Sequence, residues 1–418
     1  MESRVYYGEY SLKHWIQMLL SKNIILPDYQ RSFVWEEKDV VRLVKSIQDG
    51  QFVQPVTIAL FKVEEGRPGQ NLIIDGQQRL SSILLAFLGY MPNKSMFEKP
   101  EVLANDEDDA ADETIDDAPG KGAIKWRFSE LFEDCGDNRI ESIRKRLEID
   151  PRYTSLDLEL PENFFDKAFL GYSYIVPSTT NAKEIQRGFS MLFRDINFFG
   201  KKLSALESRR SLYYLNEDLL TYLEGQTEDR KDVLCGIKLM DKMQPIKIDF
   251  VRYLSIISQY TITEDPYKVL VGYSASSTRE NFYADYVSFL LGLEQEDREW
   301  KFNGFSFEAT FPDNCWRERY ESLREAIIRL RPLFRMAEKN KDAFVSWIDA
   351  DYWFFGLIYA IFFAGKKLND DLTGIETEIN GEISEKKKWD YYAKSPNRLG
   401  NLRDRLTRSI DIIWKYVH

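Results

Sequence analysis

Apolar residues recur at helical spacing twice near the start of the chain. Leu12, Trp15, Ile16 and Leu19 line one side of Ser11 to Ser21, with Ser11 placed to cap the helix. His14 falls off that stripe and reads as a surface helix residue. Val40, Leu43, Val44 and Ile47 form a second stripe over Glu36 to Asp49, acidic at its start as a helix dipole prefers and stopped by Gly50. Between them, Ile24-Ile25-Leu26 reads as a short strand ended by Pro27, followed by a polar-aromatic loop from Asp28 to Trp35. Val56 to Val63 and Asn71 to Asp75 read as strands joined by the turn-rich Glu64 to Gln70. The second strand runs into Gly76-Gln77-Gln78-Arg79 and then an apolar helix, Leu80 to Leu88. This order predicts a small α/β unit.

Past that unit the pattern changes. Residues 98–122 are poor in aromatics and rich in Asp, Glu, Ala and Gly, and read as a solvated, disordered insertion. Leu170 to Val176 alternates like one more strand, a helix follows from about Ala182 to Arg194, and from Leu203 onward the patterns are mostly helical. Trp353 to Gly365 is an uncharged run of 13 residues. That is short of the ~20 needed to span a bilayer and is most simply a buried helix. The expected fold class is α+β: a small mixed sheet with helices in residues 1–200, then a mostly α-helical domain over 201–418.

Composition narrows the chemistry. The chain of 418 residues has two histidines, His14 and His418, and three scattered cysteines, Cys135, Cys235 and Cys315. No Cys/His zinc cluster can be assembled from these, and a Ser-His-Asp triad would have to use His14. Isolated cysteines fit a reducing compartment, and Met1 to Tyr10 lacks the apolar run of a secretion signal, so a cytoplasmic protein with no membrane anchor is expected. The net charge is −11, but residues 98–120 alone hold ten acids against one base, which leaves −2 for the rest. The acidic balance therefore does not exclude a nucleic-acid partner. Lys201-Lys202 with Arg209-Arg210, and Lys386-Lys387-Lys388, are short basic runs that read either as solvated faces or as phosphate contacts.

The sharpest chemical feature is the strand-to-helix turn Asp75-Gly76-Gln77-Gln78-Arg79. A helix N-terminus presents backbone N–H groups and positive dipole to an anion. Gly76 lets the backbone approach a ligand, Arg79 can fork onto phosphate oxygens, and Asp75 can hold Mg²⁺ or orient a water. Gln77 and Gln78 can donate to phosphates or place an attacking water. The plainer reading is a well-capped turn with a surface arginine, since no GxxxxGK[ST] loop occurs. A second constellation is the Pro27 to Trp35 loop, in which Tyr29, Phe33 and Trp35 flank the polar Gln30 and Arg31. Its plainer reading is aromatic packing with Arg31 paired to an acid.

Together these blocks, P-x-Y-Q-R-x-x-x-W and I-I-D-G-Q-Q-R-L, resemble the ParB-like N-terminal domain of GmrSD-type and SspE-type restriction proteins, the domain of unknown function two-six-two. Phe193 to Ser204 resembles a third block of that family, with Phe199 where the family's first glycine often sits. Leu399 to Leu406 resembles, weakly, a helix found late in such proteins. The resemblance implies that a nucleoside triphosphate (GTP or ATP) with Mg²⁺ is bound and hydrolysed at the D-G-Q-Q-R turn. Asp75, Gln77, Gln78 and Arg79 then carry the reaction, with Asp75 on the metal. Gly76, Ser81, Tyr29, Gln30, Arg31 and Asn197 line the nucleotide. Many relatives add a His-dependent nuclease domain. The C-terminal half of this sequence has no histidine before residue 418, so that domain is expected to be missing.

Three functions follow as expectations. The first is an NTP-hydrolysing sensor or regulatory subunit of an anti-phage or restriction-type system, acting with an effector on a separate chain. The second is a non-catalytic DNA- or protein-recognition module that uses nucleotide as a conformational clamp. The third is a carboxylate-based, metal-dependent nuclease. DNA and a second copy of the chain are further partners to consider.

Overall fold

A computed structural model describes residues 3–26, 33–61, 70–98, 124–133, 139–179, 181, 184–185, 188, 192, 205–213, 216–241, 244–270, 276–293 and 301–418. The chain divides into two compact units with the break between Leu215 and Asn216.

In the first unit the elements run β1 (Ser3–Ser11), α1 (Leu12–Leu20), β2 (Ile24–Ile25), α2 (Glu37–Gln48), β3 (Val56–Phe61), β4 (Gln70–Asp75), α3 (Gln77–Leu88), β5 (Tyr90–Pro92), α4 (Glu130–Glu133), α5 (Ile140–Ile149), β6 (Tyr153–Ser155), α6 (Phe164–Lys167) and β7 (Phe169–Pro177). Five strands form one mixed sheet in the order β1-β7-β3-β4-β2. β1/β7 and β3/β4 are antiparallel, whereas β7/β3 and β4/β2 are parallel. The α+β expectation holds.

Local sequence explains most of these elements. The Ser11 hydroxyl accepts the His14 amide and starts α1, whose Trp15 donates through Nε1 to Leu170 O of β7 at 3.1 Å. Gly50, at φ +66, follows α2 as expected. β1 is not predicted by its pattern, because Val5, Tyr6 and Tyr7 are all exposed and leave no apolar alternation. It is a strand because all nine of its residues pair with β7. One face of the sheet carries the main core, including Trp15, Val56, Ile58, Ile73, Leu80 and Leu84. A smaller cluster, with Ala59, Leu72, Ile74, Ile175 and Ile185, covers the other face.

The acidic insertion falls almost wholly outside the described residues, as do most of the helix expected over 182–194 and all of Phe193 to Ser204. Its flanks are described. The amide of Lys125 donates to Glu98 O at 2.7 Å, and the two side chains form an ion pair at 3.3 Å.

The second unit is mostly helical, with one departure from expectation: a four-stranded sheet of Met336–Ala337, Asn340–Phe344, Lys238–Asp241 and Gln244–Lys247. These strands are two to five residues long, too short to show a period. The apolar run from Trp353 is indeed buried, in the helix Trp347–Leu357 and its π-helical continuation Ile358–Phe363. Among the described residues no helix is long and apolar enough to cross a membrane. The helix Leu399–Ile413 packs against Trp347–Leu357 at Gly356, where an added Cβ would overlap the Ser409 carbonyl oxygen. The Ser409 hydroxyl donates to Tyr352 O at 2.6 Å and accepts the Gly356 amide at 2.8 Å.

A buried charge cluster joins three helices of this unit. Arg252, in the helix Phe250–Thr261, forks onto Asp351 at 2.6 and 2.9 Å. Arg405 Nε donates to the same carboxylate at 3.0 Å, and the Tyr253 hydroxyl at 2.9 Å. Arg252, Asp351 and Arg405 are at most 1% exposed. Burial alone would push the Asp351 carboxyl up, but the two guanidinium groups outweigh it and hold it below the usual carboxylate range.

Asp351→Asn keeps the shape but leaves two buried cations facing a neutral amide. The second unit should lose about 3–5 kcal/mol, read as a drop in its urea or thermal midpoint. The depressed carboxyl contributes fully above its unfolded pKa of about 4, and that contribution is lost as pH falls through the lower folded value. Below pH about 4 the wild-type midpoint should therefore fall more steeply than that of Asp351→Asn.

Candidate functional site

β3 and β4 bring the candidate residues to one end of the sheet. Thr57 pairs with Asp75, and a register shift follows before Ile58 pairs with Ile73. Gln54, three residues before Thr57, thus reaches the same end. β4 stops at Asp75, and the chain reverses into α3 through Gly76, which has φ +101. A Cβ there would meet Val56 Cγ2 at 2.9 Å. Helix α3 begins at Gln77, three residues earlier than its apolar pattern predicts, so Gln77, Gln78 and Arg79 form its first turn. The amides of that turn are the ones an α-helix leaves without intrahelical acceptors.

Three side chains interlock over this turn. Arg79 Nη2 donates to Asp75 Oδ2 at 2.5 Å and to Pro55 O at 3.4 Å. Arg79 Nη1 donates to Gln54 Oε1 at 3.2 Å, while Gln54 Nε2 donates to Asp75 Oδ2 at 3.4 Å. The 2.5 Å ion pair is the strong link, and the longer contacts orient it. The Arg79 and Asp75 side chains keep 13% and 21% of their surface exposed, so the pair is half-sunk with one side open to solvent. Arg79 Nε is buried and has no acceptor among the described residues. Gln54 was not among the residues singled out in the sequence. The register of β3 on β4 is the signal that reveals it, and no local motif carries that register.

The two glutamines differ. Gln77 is 5% exposed and stands first in the helix. Gln78, equally buried, accepts the Val34 amide on Oε1 at 3.0 Å. Lys94 Nζ holds the carbonyl of the same residue at 2.8 Å. Phe33 beside it bridges to Ile124 and packs edge-on against Trp126 at 5.0 Å. At its other end the loop leaves β2, where Ile25 pairs with Leu72 of β4 and runs in the direction of Asp75. Both flanks of the Pro27 to Ser32 segment are therefore anchored on the elements that carry the D-G-Q-Q-R turn. Tyr29, Gln30, Arg31 and Asn197 themselves lie outside the described residues. Ser81, 1% exposed, is packed inside the unit one turn beyond.

A divalent ion at this turn would find one protein carboxylate, Asp75. Among the described residues, no group of three or more His, Cys, Asp or Glu side chains could hold a metal. That donor set suits Mg²⁺ carried in by phosphates, which commonly needs only one or two protein carboxylates. Among the basic runs, Lys386 pairs with Asp404 and Lys387 with the buried Asp349. Arg209 is buried and donates to the Tyr213 hydroxyl, so it is not a surface cation. Lys201-Lys202 lie outside the described residues.

Residues 13–214 match the family described as GmrSD restriction endonuclease, N-terminal domain. The resemblance carried by the two motif blocks is thereby borne out. An uncharacterized protein of Methanocaldococcus jannaschii is 35% identical over 89 residues. That match covers 17% of this chain and 15% of the length of that relative.

Gln78→Ala removes the acceptor for the Val34 amide. Hydrogen exchange at Val34 should accelerate by about tenfold while amides in the middle of α3 keep their protection. Unchanged exchange at Val34 would show that Gln78 does not hold the loop.

Proposed function

We propose that this chain, whose residues 13–214 belong to the GmrSD restriction endonuclease N-terminal domain family, is the nucleotide-responsive component of a restriction-type defence system. In this reading it binds a nucleoside triphosphate at Asp75-Gly76-Gln77-Gln78-Arg79, hydrolyses it slowly, and licenses an effector carried on another chain. The observation that supports it is a guanidinium held by Asp75 and Gln54 over the first turn of α3, whose amides have no intrahelical acceptors. A phosphate oxygen is an acceptor that such amides and a guanidinium can share.

The chemistry expected of these residues is mostly positioning and charge neutralisation. First-turn amides of α3 and Arg79 would bind phosphate oxygens, Gln77 would orient a phosphate oxygen or the attacking water, and Asp75 would hold the metal edge. Bound Mg²⁺ would supply neutralisation of the phosphate charge. Gln78 serves as a positioning residue, because its oxygen is committed to Val34. Through that bond the occupancy of the turn can be passed to the Tyr29-Gln30-Arg31 loop, where a DNA or protein partner would be met.

One observation favours the clamp reading, in which nucleotide is held but not turned over: Asp75, the carboxylate at the turn, is already ion-paired with Arg79. Single-turnover measurements separate the two. With ATP or GTP and Mg²⁺, slow release of phosphate supports the hydrolase, and persistent bound nucleotide supports the clamp. Arg79→Ala should weaken nucleotide binding by about tenfold or more in either case, with thermal unfolding little changed. If the folded wild-type chain binds neither nucleotide, the proposal fails.

A further inference from the structure

The arginine best placed to receive a phosphate is already engaged within the chain. Bidentate capture of a phosphate needs two forward-facing N–H donors of one guanidinium. Here Nη2 of Arg79 is on Asp75 Oδ2 and Nη1 is on Gln54 Oε1. The second N–H of Nη2 is directed at Pro55 O, so what remains is one N–H of Nη1 and the buried Nε, which do not share an edge of the guanidinium. The carboxylate that occupies the fork also stands at the N-terminus of α3, where an incoming anion would sit, and it repels that anion. One group therefore opposes phosphate binding twice, by occupying the cation and by charge.

A divalent cation on Asp75 would reverse both effects together. It would neutralise the carboxylate and let the guanidinium turn to the phosphate. Gln54 suits either state, because a carboxamide presents a donor and an acceptor and carries no charge. We infer that Asp75 guards Arg79, so that this site takes a polyphosphate only when a divalent cation arrives with it. This deepens the nucleotide-binding reading and rests on it. The physical consequence is a coupling: metal affinity and phosphate affinity rise together, by the same factor.

The test is titration calorimetry of the full chain with inorganic tripolyphosphate at fixed ionic strength, in Mg²⁺ and in EDTA. Wild type should bind about tenfold or more tightly in Mg²⁺ than in EDTA. Asp75→Asn should bind in EDTA about tenfold more tightly than wild type does, with little further gain from Mg²⁺. Arg79→Ala should bind weakly in both. Circular dichroism checks the fold of each variant, and Asp75→Ala serves if the asparagine disturbs it. If a folded Asp75 variant binds no better than wild type in EDTA, or wild type already binds tightly there, the guard is wrong. The phosphate site itself then still stands, provided wild type binds with Mg²⁺ and Arg79→Ala does not. If none of the chains binds tripolyphosphate in either condition, both readings fall.

Discussion

Strand β4 can hand its chain to α3 only because position 76 lacks a Cβ. The backbone there has φ +101, in the region that L side chains avoid, and its Cα lies against Val56. Everything chemical in the first unit follows from that close approach. It places the first turn of α3 on the end of β4, which sets Arg79 one turn from Asp75. It also faces Gln78 toward Val34 and buries Gln77 at the mouth of the helix. A wider turn would separate the ion pair from the helix amides and leave an ordinary surface arginine.

Much of this was legible in the residues. The stripes of α1 and α2, the strands β3, β4 and β7, and the stop at Gly50 appear where their patterns place them, because the helices bury one face in the main core and the strands are covered on both faces. β1 was not legible, since a strand with three consecutive exposed apolar residues is defined by its partner and not by its own alternation. The start of α3 was read three residues late for a related reason: Gln77, Gln78 and Arg79 are polar and do not announce a helix, yet two of them are buried. Gln54 escaped because its contact depends on the register of one strand against another. The sheet of the second unit escaped because strands of two to five residues carry no period.

The two units manage buried charge in opposite ways. In the second, one carboxylate pairs with two guanidinium groups away from water, an arrangement that breaks at high cost and suits a fixed junction of helices. In the first, a single carboxylate and a single guanidinium meet where solvent still reaches them. Such a pair can exchange its partners for water or solute ions more readily than a fully buried one. The contrast between the two clusters is one of solvation.

The hydrogen bond between Lys125 and Glu98 has a consequence for how this protein can diverge. The two flanks are tied to each other by a backbone hydrogen bond and an ion pair. Closing a longer loop adds only about 0.6 kcal/mol for each doubling of length. Descendants of this sequence can therefore change the length of the stretch between those flanks with little penalty to the D-G-Q-Q-R turn.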